Sequence, residues 1–158
     1  MWLDDDLLKN EKRAVSLFNE MVLRKLSLSW DATNGIIAYS CTKEVIDAAA
    51  ASGCIAVNIG MESGNRSMLR RIRKPGTLEN FLETAQVLRQ YEQIYSNVLL
   101  LIGLPDESMN MIMDTMEVAR EMDMDWYITS VLQPLPNTPV YEQMLSQGLI
   151  CLLYTSPS

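Results

Sequence analysis

The sequence alternates between short apolar runs and amphipathic helical segments, and this alternation constrains the fold more than any other feature. Segments with apolar residues three and four positions apart follow the runs that are typical of strands. Strands that alternate with helices form βαβ units and a parallel sheet. We therefore expect an α/β fold, either a β/α barrel or an open α/β sheet.

Turn and capping residues set the expected element boundaries. An Asn34-Gly35 pair predicts a turn, and Trp2-Leu3 are expected to end a strand. The patterns predict helices over residues 7–25, 43–51, 66–73, 78–91 and 108–122 and from Thr138-Pro139 onward, and strands over Leu26–Trp30, Cys54–Ile59, Asn97–Ile102 and Trp126–Leu132.

Composition excludes several functional classes. The 158 residues include no histidine, which excludes Ser-His and Cys-His catalysis and His-ligated metal sites within this chain. Cys41, Cys54 and Cys151 do not have the spacing of a zinc or iron–sulfur loop. This odd, sparse set favours a reducing cytoplasm over a disulfide framework. A net charge of −7 argues against nucleic-acid binding, and no apolar run has the length of a membrane span.

Residues suited to ligand binding follow the ends of the expected strands. In parallel α/β folds, ligands bind outside the carboxyl ends of the strands. The candidates at these ends are Asp4-Asp5-Asp6, Trp30-Asp31, Gly60-Met61-Glu62-Ser63-Gly64, Gly103-Leu104-Pro105 and Gln133-Pro134-Leu135-Pro136.

The residues alone leave two interpretations of each segment open. Consecutive aspartates suit a helix N-terminus as well as a ligand ammonium or a metal. Glu62 and Ser63 between glycines suit a ribose or an amine, or a tight turn with Ser63 as a helix cap. The segment from Gly103 is either a strand-to-helix turn or a backbone contact to a ligand. The basic run Arg66–Lys74 is either a solvated helix face or a phosphate or carboxylate contact.

Taken in order, these motifs resemble the radical S-adenosylmethionine (SAM) superfamily, and especially its members with a cobalamin-binding domain. The resemblance covers about residues 1–150, and its fold is a partial six-stranded β/α barrel. This chain would hold strands two to six of that barrel, truncated at both ends. The residues that carry the resemblance are Asp4-Asp5, Gly60–Gly64 with Leu69, Ile72 and Lys74, Ile102–Glu107, and Gln133–Pro139.

The resemblance implies a [4Fe-4S] cluster that reductively cleaves SAM to a 5′-deoxyadenosyl radical. It also implies an electron donor, a substrate that the sequence does not identify, and cobalamin held by an upstream domain. It assigns no catalytic residue. The implied SAM contacts are Asp4 and Asp5 to the methionine amino group, Glu62 and Ser63 near the ribose and methionyl part, Gly103, Leu104 and Pro105 along the adenine, Gln133 and Pro134 closing that side, and Asp31 as a further candidate.

One departure from the family is serious: the three-cysteine loop that holds the cluster is absent. Cys41 and Cys54 are too far apart to replace it, so we expect no radical chemistry from this chain alone. We interpret residues 1–150 as a core fragment and residues 151–158 as a translated sequencing adaptor, with a genuine short tail as the alternative. The competing functions are a metal-dependent β/α-barrel enzyme that uses Asp4, Asp5 and Glu62, and a non-catalytic α/β binding module.

Overall fold

The computed structural model describes residues 1–2 and 7–150; Asp4 and Asp5 and the expected tail at 151–158 lie outside the described residues. A short 3₁₀ turn, Ala38–Ser40, follows the first strand. The helices are α1 (Glu11–Leu23), α2 (Lys43–Ala51), α3 (Arg66–Arg71), α4 (Leu78–Leu88), α5 (Met109–Met122) and α6 (Pro139–Ser146), and the strands are β1 (Trp30–Ile36), β2 (Cys54–Glu62), β3 (Tyr95–Ile102) and β4 (Trp126–Val131).

The four described strands form one parallel sheet in the order β1-β2-β3-β4. This confirms the α/β class and the parallel sheet expected from the alternating pattern. The strand expected at Trp2-Leu3 falls mostly outside the described residues. Trp2 itself lies beside β1, because its backbone N–H donates to the carbonyl of Asp31 at 2.9 Å.

Four of the helices form one layer, in which α1 packs on α2, α2 on α4 and α4 on α5. Phe18 of α1 stacks on Trp30 of β1 with ring centroids 5.0 Å apart. Burying each large apolar side chain in this layer contributes about 1.5–3 kcal/mol. Helices in a doubly wound open sheet cover both faces, so the single layer favours a partial barrel.

Helix starts are set by local sequence. Thr42 accepts a hydrogen bond from the backbone of Val45, and Thr138 precedes proline at the first position of α6. Thr77 and Asn80 cap α4 reciprocally, each side chain bonding the other's backbone N–H. Threonine side chains therefore set the starts of α2, α4 and α6.

The strand expected over Leu26–Trp30 has the wrong boundaries. The strand β1 runs from Trp30 to Ile36, and the Asn34-Gly35 pair lies inside it rather than at a turn. Its register with β2 shifts between Ala32 and Ile36, where Gly35 has φ +107°. Pairing with β2, not local periodicity, fixes this strand.

Candidate functional site

The carboxyl ends of three neighbouring strands meet along one edge of the sheet. Glu62 ends β2, Gly103 follows β3, and Gln133 follows β4 by two residues. Leu132 keeps the last two together, because its N–H donates to the carbonyl of Ile102 at 2.8 Å. We call this group, Glu62 with Gly103–Pro105 and Gln133-Pro134, the carboxyl edge.

Glu62 has an unusual backbone conformation at this edge. Its φ of +64° lies in the left-handed region. The register between β2 and β3 shifts between Gly60 and Glu62, as at a bulge that redirects a side chain. A left-handed non-glycine residue costs about 1–2 kcal/mol. Such strain persists where surrounding contacts enforce it, and it concentrates at functional sites.

An ion pair fixes the Glu62 side chain. The Nζ of Lys74, in the connection between α3 and α4, lies 3.0 Å from Oε1 of Glu62, and the side chains are 25% and 27% exposed. Gly60 leaves room for both groups: a Cβ there would lie 2.8 Å from Nζ and 3.1 Å from Oε1. In the sequence, Lys74 belongs to the motif residues but not to the expected SAM contacts. The sequence feature that could have identified it is its spacing, because it is a cation twelve residues after Glu62.

The hydroxyl of Ser63 is buried, whereas the sequence predicts that it is presented at the end of the strand. The residue is 0% exposed. Its Oγ accepts a hydrogen bond from the N–H of Asn65 at 3.2 Å and lies 3.3 Å from Oγ1 of Thr115. A buried hydroxyl requires such internal partners. The alternative of Ser63 as the helix cap is also wrong, because Asn65 caps α3.

The backbone donors of the Gly103 segment bond within the protein. Oε2 of Glu107 accepts hydrogen bonds from the N–H groups of Gly103 at 2.7 Å and Leu104 at 3.3 Å. Gly103 is exposed with φ +80°, whereas Leu104 and Pro105 are buried. Because these two N–H groups are already bonded, a backbone contact between this segment and a ligand would be made by a carbonyl oxygen.

The loop after β4 completes the edge. Gln133 is exposed and Pro134 is half-buried. Asp106 holds the following helix, α6, against the Gly103 segment, because its carboxylate accepts hydrogen bonds from the side-chain amides of Gln143 and Gln147, each at 3.3 Å. Arg71 of α3 pairs with the same carboxylate.

Asp31 does not lie at the carboxyl edge. It is the second residue of β1, so its expected place at the end of a strand is wrong. Its Oδ1 accepts a hydrogen bond from the Thr33 hydroxyl at 2.6 Å. That bond is the main reason why the pKa of Asp31 lies below its usual value.

Three residues of the basic run Arg66–Lys74 form ion pairs within the chain. Arg66 pairs with Glu79, Arg71 with Asp106 and Lys74 with Glu62. It is therefore more than a solvated helix face.

The described cysteines do not form a cluster site. Within residues 1–2 and 7–150, no group of three or more cysteine and carboxylate side chains could hold a metal ion. Cys54 lies at the amino end of β2, and burial raises the pKa of its thiol to about 12. A protonated thiol is a poor iron ligand. Over the same described range, no helix is long and apolar enough to span a membrane.

Comparison with curated proteins identifies long relatives. An uncharacterized methyltransferase of Pyrococcus horikoshii is 25% identical over 94% of this chain and 32% of its own length. Bacteriochlorophyllide d C-12(1)-methyltransferase of Chlorobaculum tepidum is 27% identical over 90% of this chain and 31% of its own length. The chain thus spans about a third of the length of these relatives.

Solved structures share the fold. The radical SAM methyltransferase TsrM of Kitasatospora setae, with cobalamin and a [4Fe-4S] cluster bound, superposes with a TM-score of 0.74 at 20% identity, over 91% of this chain and 29% of that one. Coproporphyrinogen III oxidase (HemN) of Escherichia coli, a radical SAM enzyme, gives a TM-score of 0.65 at 16% identity, over 78% of this chain and 29% of that one. These likenesses confirm the partial barrel.

Sequence comparison with protein families gives the most direct assignment. The model of the radical SAM superfamily matches residues 6–119, which include most of the described sheet and the Glu62 turn. The resemblance stated from the motifs is therefore confirmed, and the chain belongs to the radical SAM superfamily.

Proposed function

We propose that this chain forms the SAM-binding core of a radical SAM enzyme. The observation that carries the proposal is the ion pair between Glu62 and Lys74 beside Gly60 at the carboxyl edge. The methionyl part of SAM carries an ammonium and a carboxylate. A carboxylate and an ammonium held side by side complement both charges with charge-assisted hydrogen bonds.

The partial burial of the pair supports this role. At 25% and 27% exposure, the two side chains are accessible from solvent yet partly shielded from it. Coulomb interactions near a protein surface are several times stronger than in bulk water. Binding would exchange one internal ion pair for two contacts to the ligand, and the left-handed Glu62 would hold the carboxylate in place for that exchange.

The rest of the edge fits the nucleoside part of SAM. Gly103 is exposed and offers a carbonyl, and the buried Leu104 and Pro105 follow it directly. In the proposal these groups flank the adenine, and Gln133 and Pro134 close that side. Asp4 and Asp5 keep their proposed contact to the methionine amino group from the sequence motif. Ser63 holds the turn rather than the ligand, and Asp31 is assigned no ligand contact.

The cluster and the reaction are assigned outside these residues. Cys54 does not fit an iron site, because burial raises the pKa of its thiol and so disfavours the thiolate. We assign the [4Fe-4S] ligands to cysteines that this sequence does not contain, and no reaction step to this chain. The likeness to TsrM supports cobalamin as a further cofactor, also held elsewhere. An electron donor and an unidentified substrate complete the proposed partners, and the sparse cysteines support a cytoplasmic location.

The metal-dependent alternative is less favourable. It needs Glu62 as a metal ligand, yet the ammonium of Lys74 already lies 3.0 Å from that carboxylate. A cation at this distance competes with a bound metal for the same oxygen. The geometry therefore favours a zwitterionic ligand over a divalent ion.

Titration of the chain with SAM tests the proposal. The wild-type chain should bind SAM saturably, and Glu62→Gln and Lys74→Met should each weaken binding about tenfold, or about 1.4 kcal/mol. The matched control is Lys43→Met, which removes the exposed pair between Lys43 and Asp47 at 2.9 Å on α2. That control should bind like the wild type.

Two results would contradict the proposal: no saturable binding by the wild-type chain, or equal losses in the site variants and the Lys43 control. The cluster assignment has its own test. A longer sequence of the same gene should contain three closely spaced cysteines ahead of Met1. Their absence would remove the radical reaction from the proposal.

A further inference from the structure

We propose that Thr115 of α5 is a positioning residue that holds Glu62 in its ligand-binding geometry. The inference rests on the proposed SAM site and deepens it. Thr115 is 0% exposed, so it acts through the Glu62 turn and not on the ligand.

The Thr115 hydroxyl binds the two residues that follow Glu62. Its Oγ1 accepts a hydrogen bond from the N–H of Gly64 at 2.9 Å and lies 3.3 Å from Oγ of Ser63. It donates to the carbonyl of Met111 one helical turn earlier, at 3.0 Å. One hydroxyl therefore connects the backbone of α5 to the turn after β2.

The turn also lies unusually close to α5. A Cβ at Gly64 would be 2.6 Å from Cα of Thr115 and 2.9 Å from the carbonyl oxygen of Asp114. The side-chain amide of Asn65 donates to the Asp114 carboxylate at 2.6 Å. Contacts with the surface of α5 thus fix the backbone of residues 63–65.

The backbone conformation of Glu62 explains why these contacts are needed. A left-handed conformation is disfavoured for a glutamate, so β2 alone does not enforce it. The following residues must be held in place, and the Thr115 hydroxyl reaches two of them. Losing it should release Glu62 from the conformation that places its carboxylate beside Lys74.

This role predicts a selective binding defect. Glu62 and Lys74 are assigned to the amino-acid part of SAM, whereas Gly103–Pro105 are assigned to the adenine. Thr115→Val, which removes the hydroxyl at nearly constant volume, should weaken SAM binding about tenfold. It should leave the binding of adenosine unchanged. A purely structural role would weaken both ligands together.

The test compares the wild-type chain with Thr115→Val, Thr115→Ser and Thr84→Val, using SAM and adenosine as probes. Thr115→Ser keeps the hydroxyl and should rescue SAM binding. Thr84→Val is the matched control, because Thr84 is also buried and donates to the carbonyl of Ala38 at 2.7 Å, away from the turn. Circular dichroism checks folding, and Thr115→Ala replaces the valine variant if that variant does not fold.

A second readout separates this inference from the proposed function. A strong NOE between the amide and Hα protons of Glu62 reports a positive φ without any ligand. The inference predicts that this NOE is present in the wild type and in Thr115→Ser and is lost in Thr115→Val. An unchanged NOE in the valine variant would overturn it, as would equal losses for SAM and adenosine. A wild-type chain that shows the NOE but binds no SAM would instead overturn the proposed function.

Discussion

The ammonium of Lys74 lies 3.0 Å from the carboxylate of Glu62, beside the bare Cα of Gly60. The three residues come from a strand and from the connection between two helices, so only the folded chain brings them together. The pair joins two opposite charges at an edge where parallel sheets bind ligands.

Gly60→Ala tests the space that this pair requires. The added Cβ would lie 2.8 Å from Nζ of Lys74 and 3.1 Å from Oε1 of Glu62. Both atoms end flexible side chains and can move, so the free energy of unfolding should change by no more than about 1 kcal/mol. SAM affinity should nevertheless fall. Titration and urea denaturation measure the two effects.

Gly64→Ala supplies the contrast, because its Cβ would meet the backbone of α5 at 2.6 Å. Backbone does not move aside cheaply, so this variant should be destabilised by about 1–3 kcal/mol. Equal destabilisation by the two alanine variants would show that the Gly60 contact is not confined to side-chain ends.

A pair of Glu62 variants tests the backbone strain. Both Glu62→Gly and Glu62→Ala remove the carboxylate and should weaken SAM binding alike. Glycine adopts φ +64° without the steric cost that alanine retains, so the glycine variant should be more stable by about 1 kcal/mol. Urea denaturation measures the difference. Equal stability of the two variants would argue against a left-handed residue at position 62.

The sequence predicts most of the fold, because most elements have local signals. Threonine caps set the starts of α2, α4 and α6, and alternating patterns set the order of strands and helices. The exception is β1, which contains Asp31 and the Asn34-Gly35 pair in place of an apolar run. Its position depends on pairing with β2, a long-range interaction that local periodicity does not contain.

The site is only partly predictable for the same reason. Glu62 and Gly103 follow strands, and their place at the carboxyl edge follows from the topology. The burial of Ser63 depends on Thr115, which is 52 residues away in sequence. The contact between Lys74 and Glu62 depends on how the chain returns after α3. Neither contact follows from the local periodicity of the sequence.

Cys54 predicts a specific loss of stability at alkaline pH. Burial raises the pKa of its thiol from 9.0 to about 12. As the pH rises, the thiol loses its proton in the unfolded chain before it does so in the folded chain. The contribution of the buried thiol to the free energy of unfolding is therefore complete below pH 9 and is lost as the pH rises toward 12. At pH 10.5 the loss should be on the order of 1–2 kcal/mol relative to pH 8.

Urea denaturation of the wild type and Cys54→Ala at both pH values isolates this effect, because other titrating groups are common to the two proteins. The wild type should lose more stability than the variant between pH 8 and pH 10.5. Parallel losses would show that the thiol is not buried in the folded chain.

We expect copies of the chain to associate with one another through the exposed edge of β4. Within the described sheet, β4 pairs with β3 alone, and Trp126, Ile128 and Val131 are 58%, 42% and 65% exposed. Exposed apolar edge strands promote pairing between chains. The chain should therefore sediment with a concentration-dependent mass, and Ile128→Lys should reduce this more than Leu23→Lys on α1. A sharp melting transition of a monomer at high concentration would contradict the prediction.

Binding of SAM at the carboxyl edge can be observed residue by residue in an NMR titration of the isotope-labelled chain. We expect SAM to shift the amide resonances of residues 60–64, 74, 103, 104 and 133, and to leave those of α1 and α2 unchanged. Saturable shifts confined to residues of α1 and α2, or no saturable shifts at all, would overturn this assignment.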